Sequence, residues 1–213
     1  VALARGAQGV GLFRTEFLFV DQPELPDEEA QYNAYRRAAE VMGERPVIIR
    51  TLDAGGDKPL PGITDAGAAE LNPFLGVRGL RISLAHPDLF RTQLRALLRA
   101  ATAGNIWIMF PMVATVGDVH EARRYVEGVA RDLASEGVAH RADVPLGIMI
   151  EIPSAAIAID RLIGEVDFVS IGTNDLVQYT LAVDRTNPVL AARYPAFDVA
   201  VLRLIRDVLA AAR

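Results

Sequence analysis

Five short apolar runs, separated by longer segments with helical periodicity, constrain this chain more than any other feature of its sequence. The runs span residues 9–13, 47–49, 106–110, 146–150 and 167–171. They are too short for helices and mostly apolar on both faces, which is how parallel strands covered by helices read. The segments between them carry helix punctuation. Pro26-Asp27-Glu28-Glu29 opens one with an acidic first turn, and Gly43 closes it. Pro87-Asp88 opens a second that ends at Gly104, with Leu89, Leu94, Leu97 and Leu98 recurring along it. A third runs over 118–136, Ser154 caps a fourth that ends at Gly164, and Asp198 caps a fifth with Val201, Leu202, Ile205 and Leu209. A weaker pattern at 76–80 is read as a sixth strand.

Repeated strand–helix units make a parallel sheet through right-handed crossovers. The expected fold is therefore α/β, a truncated (β/α)8 barrel with about six of eight units present, since a whole barrel takes about 250 residues and this chain has 213. A doubly wound open sheet is the runner-up, but no strand run is followed by the glycine fingerprint of a dinucleotide site. Hydrophobic residues make up 51% of the chain, enough to bury a core. The Gly- and Pro-rich stretch over 53–73 lies within the alternating pattern, so it reads as a long active-site loop and not as a domain boundary. The whole of 1–213 is read as one domain.

Charge and composition narrow the function. With 22 basic and 27 acidic residues the net charge is −5, the wrong sign for a chain that wraps nucleic acid. No apolar run is long enough to span a membrane, no secretory leader is visible, and the expected compartment is the cytoplasm. Cysteine is absent, which excludes disulfides, thiolate zinc sites and a cysteine nucleophile within these residues. The sequence opens on Val1 and stops inside a helical pattern at Arg213, so it reads as a piece of a longer protein.

The strand runs end in polar groups. The first leads to Arg14, the second to Arg50, the fourth to Glu151, and the fifth to Asn174 and Asp175. In a parallel barrel the C-terminal strand ends open on one face, so these residues converge. Glu151 and Asp175 are hard oxygen donors suited to Mg2+ or Mn2+. Arg14 and Arg50 present planar forks that match phosphate or carboxylate. Each residue has a plainer alternative: an ion pair for the arginines, a helix cap or ion pair for the acids. Together they ask for a small, multiply anionic ligand that bridges a divalent metal.

Those same residues lie in segments that resemble the phosphoenolpyruvate-utilising enzymes. The resemblance is carried by Gly9-Val10-Gly11-Leu12-Phe13-Arg14-Thr15-Glu16-Phe17-Leu18-Phe19, Arg50-Thr51-Leu52-Asp53-Ala54-Gly55-Gly56-Asp57-Lys58 and Asn72-Pro73-Phe74-Leu75-Gly76-Val77-Arg78. It continues through Met109-Phe110-Pro111-Met112, Gly147-Ile148-Met149-Ile150-Glu151-Ile152-Pro153, Ser170-Ile171-Gly172-Thr173-Asn174-Asp175-Leu176 and the stretch from Gln178-Tyr179 to Asp184-Arg185. Within that family the chain is most similar to the branch that starts the phosphoenolpyruvate:sugar phosphotransferase system. It is less similar to the dikinase and synthase branches.

The resemblance implies a (β/α)8 barrel that binds phosphoenolpyruvate and Mg2+ and a homodimer formed through this domain. It implies phosphoryl transfer to a histidine on a separate phosphohistidine domain, and from there to a histidine-containing phosphocarrier protein. It puts Glu151 and Asp175 on the metal, and Arg14, Arg50 and Arg185 on the phosphate. Asn174 and Lys58 contact phosphoenolpyruvate, and Arg78 is a further basic position of the site. By composition alone, Lys58, Arg78 and Arg185 are ordinary solvated charges. The family's acceptor histidine sits in a Thr-x-Ser-His motif that does not occur here; His86, His120 and His140 read as surface residues. The family's enolate-protonating cysteine is likewise outside this sequence. Two other readings stay open: a Mg2+-dependent aldolase-type barrel, and a fragment that only binds ligand and dimerises. The expectation for the isolated fragment is weak stability or aggregation, open sheet edges, and no phosphoryl transfer until the histidine-bearing domain is rejoined.

Overall fold

The computed structural model describes residues 3–19, 24–55, 71–193 and 197–213. Five strands form one parallel sheet: β1 (Val10–Arg14), β2 (Val47–Arg50), β3 (Ile106–Phe110), β4 (Leu146–Ile150) and β5 (Phe168–Ile171). Their spatial order is their chain order. Register runs Val47↔Ile106 and Arg50↔Met109 between β2 and β3, and Gly147↔Phe168 to Ile150↔Ile171 between β4 and β5. A doubly wound sheet needs the strand order to reverse at a switch point. This order does not reverse, so the sheet curls as half of a barrel, in keeping with the truncated (β/α)8 expectation.

The crossovers are α1 (Glu28–Met42), α2 (Leu80–Ala85) with α3 (Pro87–Ala100), α4 (Val116–Ser135), and α5 (Pro153–Ile157) with α6 (Ile159–Leu162). Beyond β5 come α7 (Thr173–Leu181), α8 (Pro188–Arg193) and α9 (Val199–Ala211). Local chemistry explains the boundaries. The Asp27 carboxylate accepts the Ala30 N–H at the start of α1, and Gly43 closes that helix at φ +61°. Thr115 and Asp118 form a reciprocal capping box on α4. Asp198 accepts the Ala200 N–H and caps α9 as expected. Ser154 does not cap: Ile152 precedes the helix, Pro153 takes its first position, and the Ser154 hydroxyl donates to the Ala114 carbonyl instead.

The main core lies between the outer sheet face and the helices. α1 supplies Tyr35, Ala39 and Met42, α3 supplies Phe90, Leu94 and Leu97, and the sheet supplies Val47, Ile49, Ile106, Ile108 and Ile148. A buried polar relay runs beneath it. Gln93 accepts the Leu52 N–H at 2.9 Å and donates to Tyr35 Oη, which donates to Gln31. That relay pins the chain just after β2, where Asp53 follows. Among the described residues no helix is long and apolar enough to cross a membrane.

The sixth strand read at 76–80 is absent. Pro73–Leu75 is a 3-10 turn and Leu80 already begins α2. β2 pairs directly with β3, leaving no slot between them. Gly79 turns the chain at φ +56°, and a Cβ there would lie 2.7 Å from Met112 Cγ. The described part of the barrel therefore holds five strands and not six. Gly79→Ala combines left-handed strain with a clash, and should cost about 2–3 kcal/mol in urea unfolding. An unchanged midpoint would show that the turn tolerates a side chain.

Candidate functional site

All five strands end on one face, and a cavity of about 290 Å3 opens there. Its lining includes Arg14, Arg50, Asp53, Arg78, Glu151, Asn174, Asp175 and Arg185. Seven of the eight residues singled out from the sequence thus share one cavity. Lys58 lies outside the described residues.

Each side chain is positioned by its element. Arg14 is the last residue of β1 and is exposed at the rim. Arg50, the last residue of β2, is only 7% exposed. Its guanidinium is bracketed by carboxylates, with Nη2 donating to Glu16 and Nη1 pairing with Asp53 at 2.9 Å. The Thr15 hydroxyl donates to the Arg50 carbonyl at 3.0 Å, so the chain after β1 grips both the backbone and the side chain of Arg50. Arg78 lies just before Gly79, and that turn sends it inward. It meets Asp53 at 3.2 Å, Asp175 at 3.1 Å and the Tyr179 hydroxyl at 3.2 Å. Burial opposes its charge, but Asp53 and Asp175 outweigh that and raise its pKa. Tyr179 in turn donates to the Phe74 carbonyl, which ties α7 to the 73–75 turn.

Glu151 follows β4 and is 1% exposed. Its Oε1 accepts the Met112 N–H at 2.7 Å, from a residue held at φ +57°. Met112 has no glycine's freedom there, so the position carries strain of about 1–3 kcal/mol that the surroundings must hold. Gly172 leaves room for the carboxylate: a Cβ at that position would lie 2.8 Å from Glu151 Oε2. Asp175 sits in the first turn of α7 and does not cap it. Its carboxylate faces Arg78 and, at 3.4 Å, Arg185. The ion-pair alternative therefore describes Asp175 as it stands here, and the capping alternative does not.

Burial drives the Glu151 pKa up to about 8, reinforced by the negative charge of Asp53 and Asp175 and opposed by the Met112 N–H and Arg50. The fold thus favours the neutral acid. Its stabilisation is complete below the ordinary value of 4.5 and is lost as pH rises through about 8. Glu151→Gln is neutral at every pH and can still accept the Met112 N–H. Without metal it should stay close to the unsubstituted chain near pH 5 and exceed its stability by on the order of 2–4 kcal/mol near pH 9. Urea melts in chelator at both pH values check this. An equal difference at both would mean that Glu151 ionises normally.

The donor set suits a hard divalent cation. Glu151, Asp175 and Asp53 are oxygen donors in one small polar cavity, and burial together with the charge of Asp53 and Asp175 disfavours the Glu151 anion. Among the described residues no group of three or more His, Asp or Glu side chains is clustered as a ready metal cage. A cation held by two carboxylates takes its remaining oxygens from water or ligand, which is how Mg2+ is usually held.

Sequence reasoning missed Asp53, Glu16, Met112 and Tyr179. Asp53 and Glu16 lie within the quoted motifs, and an acidic residue two or three positions after a strand-end arginine was the available signal. Nothing in the sequence marks Met112 as left-handed.

The family model described as "PEP-utilising enzyme, PEP-binding domain" matches residues 1–213. A phosphoenolpyruvate-protein phosphotransferase of Bacillus sp. (strain S) is 50% identical over 211 residues, which cover 99% of this chain and 36% of that protein. The protein of the same name from Enterococcus faecalis (strain ATCC 700802 / V583) is 50% identical over 209 residues, 97% of this chain and 36% of its own length. The chain thus spans about a third of the curated relatives it matches. A crystal structure of a citrate lyase from Burkholderia xenovorans LB400 is similar over 57% of this chain and 37% of its own, at 30% identity and a TM-score of 0.43.

Proposed function

The chain belongs to the PEP-utilising enzymes, through their PEP-binding domain, and from that premise we propose that its strand-end cavity binds phosphoenolpyruvate with Mg2+ and presents the phosphoryl group to a histidine. The observation that carries this reading is the gathering of Arg14, Arg50, Arg78 and Arg185 with Glu151 and Asp175 around one small polar cavity. Phosphoenolpyruvate carries its phosphate and its carboxylate on the same carbon, and a cavity with both cations and hard acids is complementary to such a ligand bridging a metal.

Phosphoryl transfer calls for charge neutralisation and positioning more than for covalent help from the protein. Arg14, Arg50 and Arg185 hold the phosphoryl oxygens, with Arg50 kept in plane by Glu16 and Asp53. Arg78 supplies a further positive group at the wall shared with α7. Asn174, exposed in the first turn of α7, orients the substrate by hydrogen bonding. Glu151 and Asp175 are the residues that hold the metal. A Mg2+ held there would supply Lewis-acid stabilisation of developing negative charge. Lys58 is proposed as a phosphoenolpyruvate contact on resemblance alone.

The relatives of half identity support one branch of the family, whose named reaction is transfer from phosphoenolpyruvate to protein. We assign this chain to that branch, enzyme I of the sugar phosphotransferase system. The partners that follow are a phosphohistidine domain, a histidine-containing phosphocarrier protein and a second copy of the same barrel, in the cytoplasm.

The test supplies the phosphohistidine domain of a relative in trans and follows phosphohistidine formation by phosphorus NMR with phosphoenolpyruvate and Mg2+. The chain should phosphorylate the domain, and Glu151→Gln should slow that step by about 100-fold or more, the scale of losing one charge-stabilising group. Equal rates with and without the chain would contradict the reading.

A further inference from the structure

Asp175 has two competing duties. The proposed function makes it a ligand of a divalent cation, yet its carboxylate here is held by two guanidinium groups, Arg78 at 3.1 Å and Arg185 at 3.4 Å. Adding a divalent ion to a carboxylate that is 5% exposed and already pairs with both arginines would crowd like charges around one anion. The two arginines differ in how they are anchored. Arg78 is buried and has Asp53 and Tyr179 as further partners. Arg185 is one-third exposed, and among the described residues its ion-pair partner is Asp175. Both line the same cavity as Arg14 and Arg50.

We infer that Asp175 is a charge-exchange point: it surrenders Arg185, and loosens Arg78, when a divalent cation arrives, and so hands those guanidinium groups to the phosphate of the substrate. The inference rests on the metal and phosphate reading above and adds a regulation to it. In the ligand-free site the arginines compete with the metal for Asp175, and Asp175 competes with the phosphate for the arginines. Each ligand removes the other's competitor. Metal and phosphate therefore bind with positive coupling, and linkage requires the factor to be the same in either order. The site thereby avoids holding either ligand tightly alone.

The probes are Mn2+ and inorganic phosphate, titrated calorimetrically into the whole chain, each alone and each with the other saturating. Each should tighten the other by about 10-fold or more, by equal factors. Direct contact between metal and phosphate would also give coupling, so the decisive variant is Arg185→Met, at a partly exposed position where folding is least at risk. With no phosphate present, Arg185→Met should bind Mn2+ several-fold more tightly than the unsubstituted chain, and the coupling factor should shrink. Arg14→Met removes a cation from the same cavity and leaves Arg78 and Arg185 on Asp175. Its Mn2+ affinity should change less than that of Arg185→Met. Unchanged or weaker Mn2+ binding by Arg185→Met, with coupling intact, would overturn the exchange and leave the metal site standing. Equal gains in Arg14→Met and Arg185→Met would also overturn it, since they would report only diffuse charge. Absence of Mn2+ binding by the unsubstituted chain would overturn the metal site itself.

Discussion

Arg50→Lys should lower phosphoenolpyruvate affinity by about 1.5–3 kcal/mol, the scale of a charged hydrogen bond, and lower stability by about 1–3 kcal/mol, the scale of leaving a buried polar group unsatisfied. The substitution keeps the charge and loses the fork. In the structure the guanidinium spans Glu16 on one side and Asp53 on the other. A lysine ammonium is a point charge and cannot hold that flat, bidentate arrangement. Glu16 is 4% exposed and its Oε2 already has no hydrogen-bond partner, so it would be left as a buried, poorly paired anion. Calorimetry with phosphoenolpyruvate and urea unfolding read the two effects separately. Unchanged affinity together with reduced stability would make Arg50 a structural residue and remove it from the phosphate site.

Asp175→Asn should abolish metal-dependent binding of phosphoenolpyruvate, a loss of about 100-fold or more when one of two anionic ligands to a hard cation becomes a neutral amide. Arg78 keeps Asp53, and Arg185 can turn to water, so the stability cost should stay near about 1–3 kcal/mol. Titrating Mn2+ into the variant and melting it in urea check both halves. Metal binding that survives Asp175→Asn would move the metal elsewhere in the cavity.

Much of this fold was legible because parallel strands buried on both faces leave apolar runs with little alternation. The run at 106–110 became β3 over the same residues, and 146–150 became β4. The failure at 76–80 has the opposite cause. Val77 and Leu80 look like strand residues, but the glycines flank an arginine whose partners, Asp53 and Asp175, lie far away in sequence. The chain turns at Gly79 and enters α2 at Leu80, and no local pattern records the distant partners that hold Arg78 there. Helix α7 was legible only as the possibility that Asp175 caps a helix; the helix begins two residues earlier, at Thr173. The single helix expected after Ser154 is broken at Ala158 into α5 and α6.

The candidate site was legible in its strand-end members. Arg14, Arg50 and Glu151 end or follow strands, and the shared direction of the sheet brings them together. Arg78 and Arg185 carried no such signal and came from resemblance; the structure places both in the same cavity. Asp53 was missed because it lies three residues beyond its strand end, yet it bridges Arg50 and Arg78 and adds to the charge that raises Glu151. A rule that reads only the last residue of each strand overlooks the acids that hold the arginines in place.

The most direct test of the central claim is calorimetric titration of phosphoenolpyruvate into this chain with Mg2+, with chelator, and with Mg2+ in the Glu151→Gln variant. Binding should appear with Mg2+, and should weaken by about 100-fold or more in chelator and in the variant. Binding of equal strength in all three would show that the cavity takes an anion without the metal that Glu151 and Asp175 are proposed to hold, and would contradict the account.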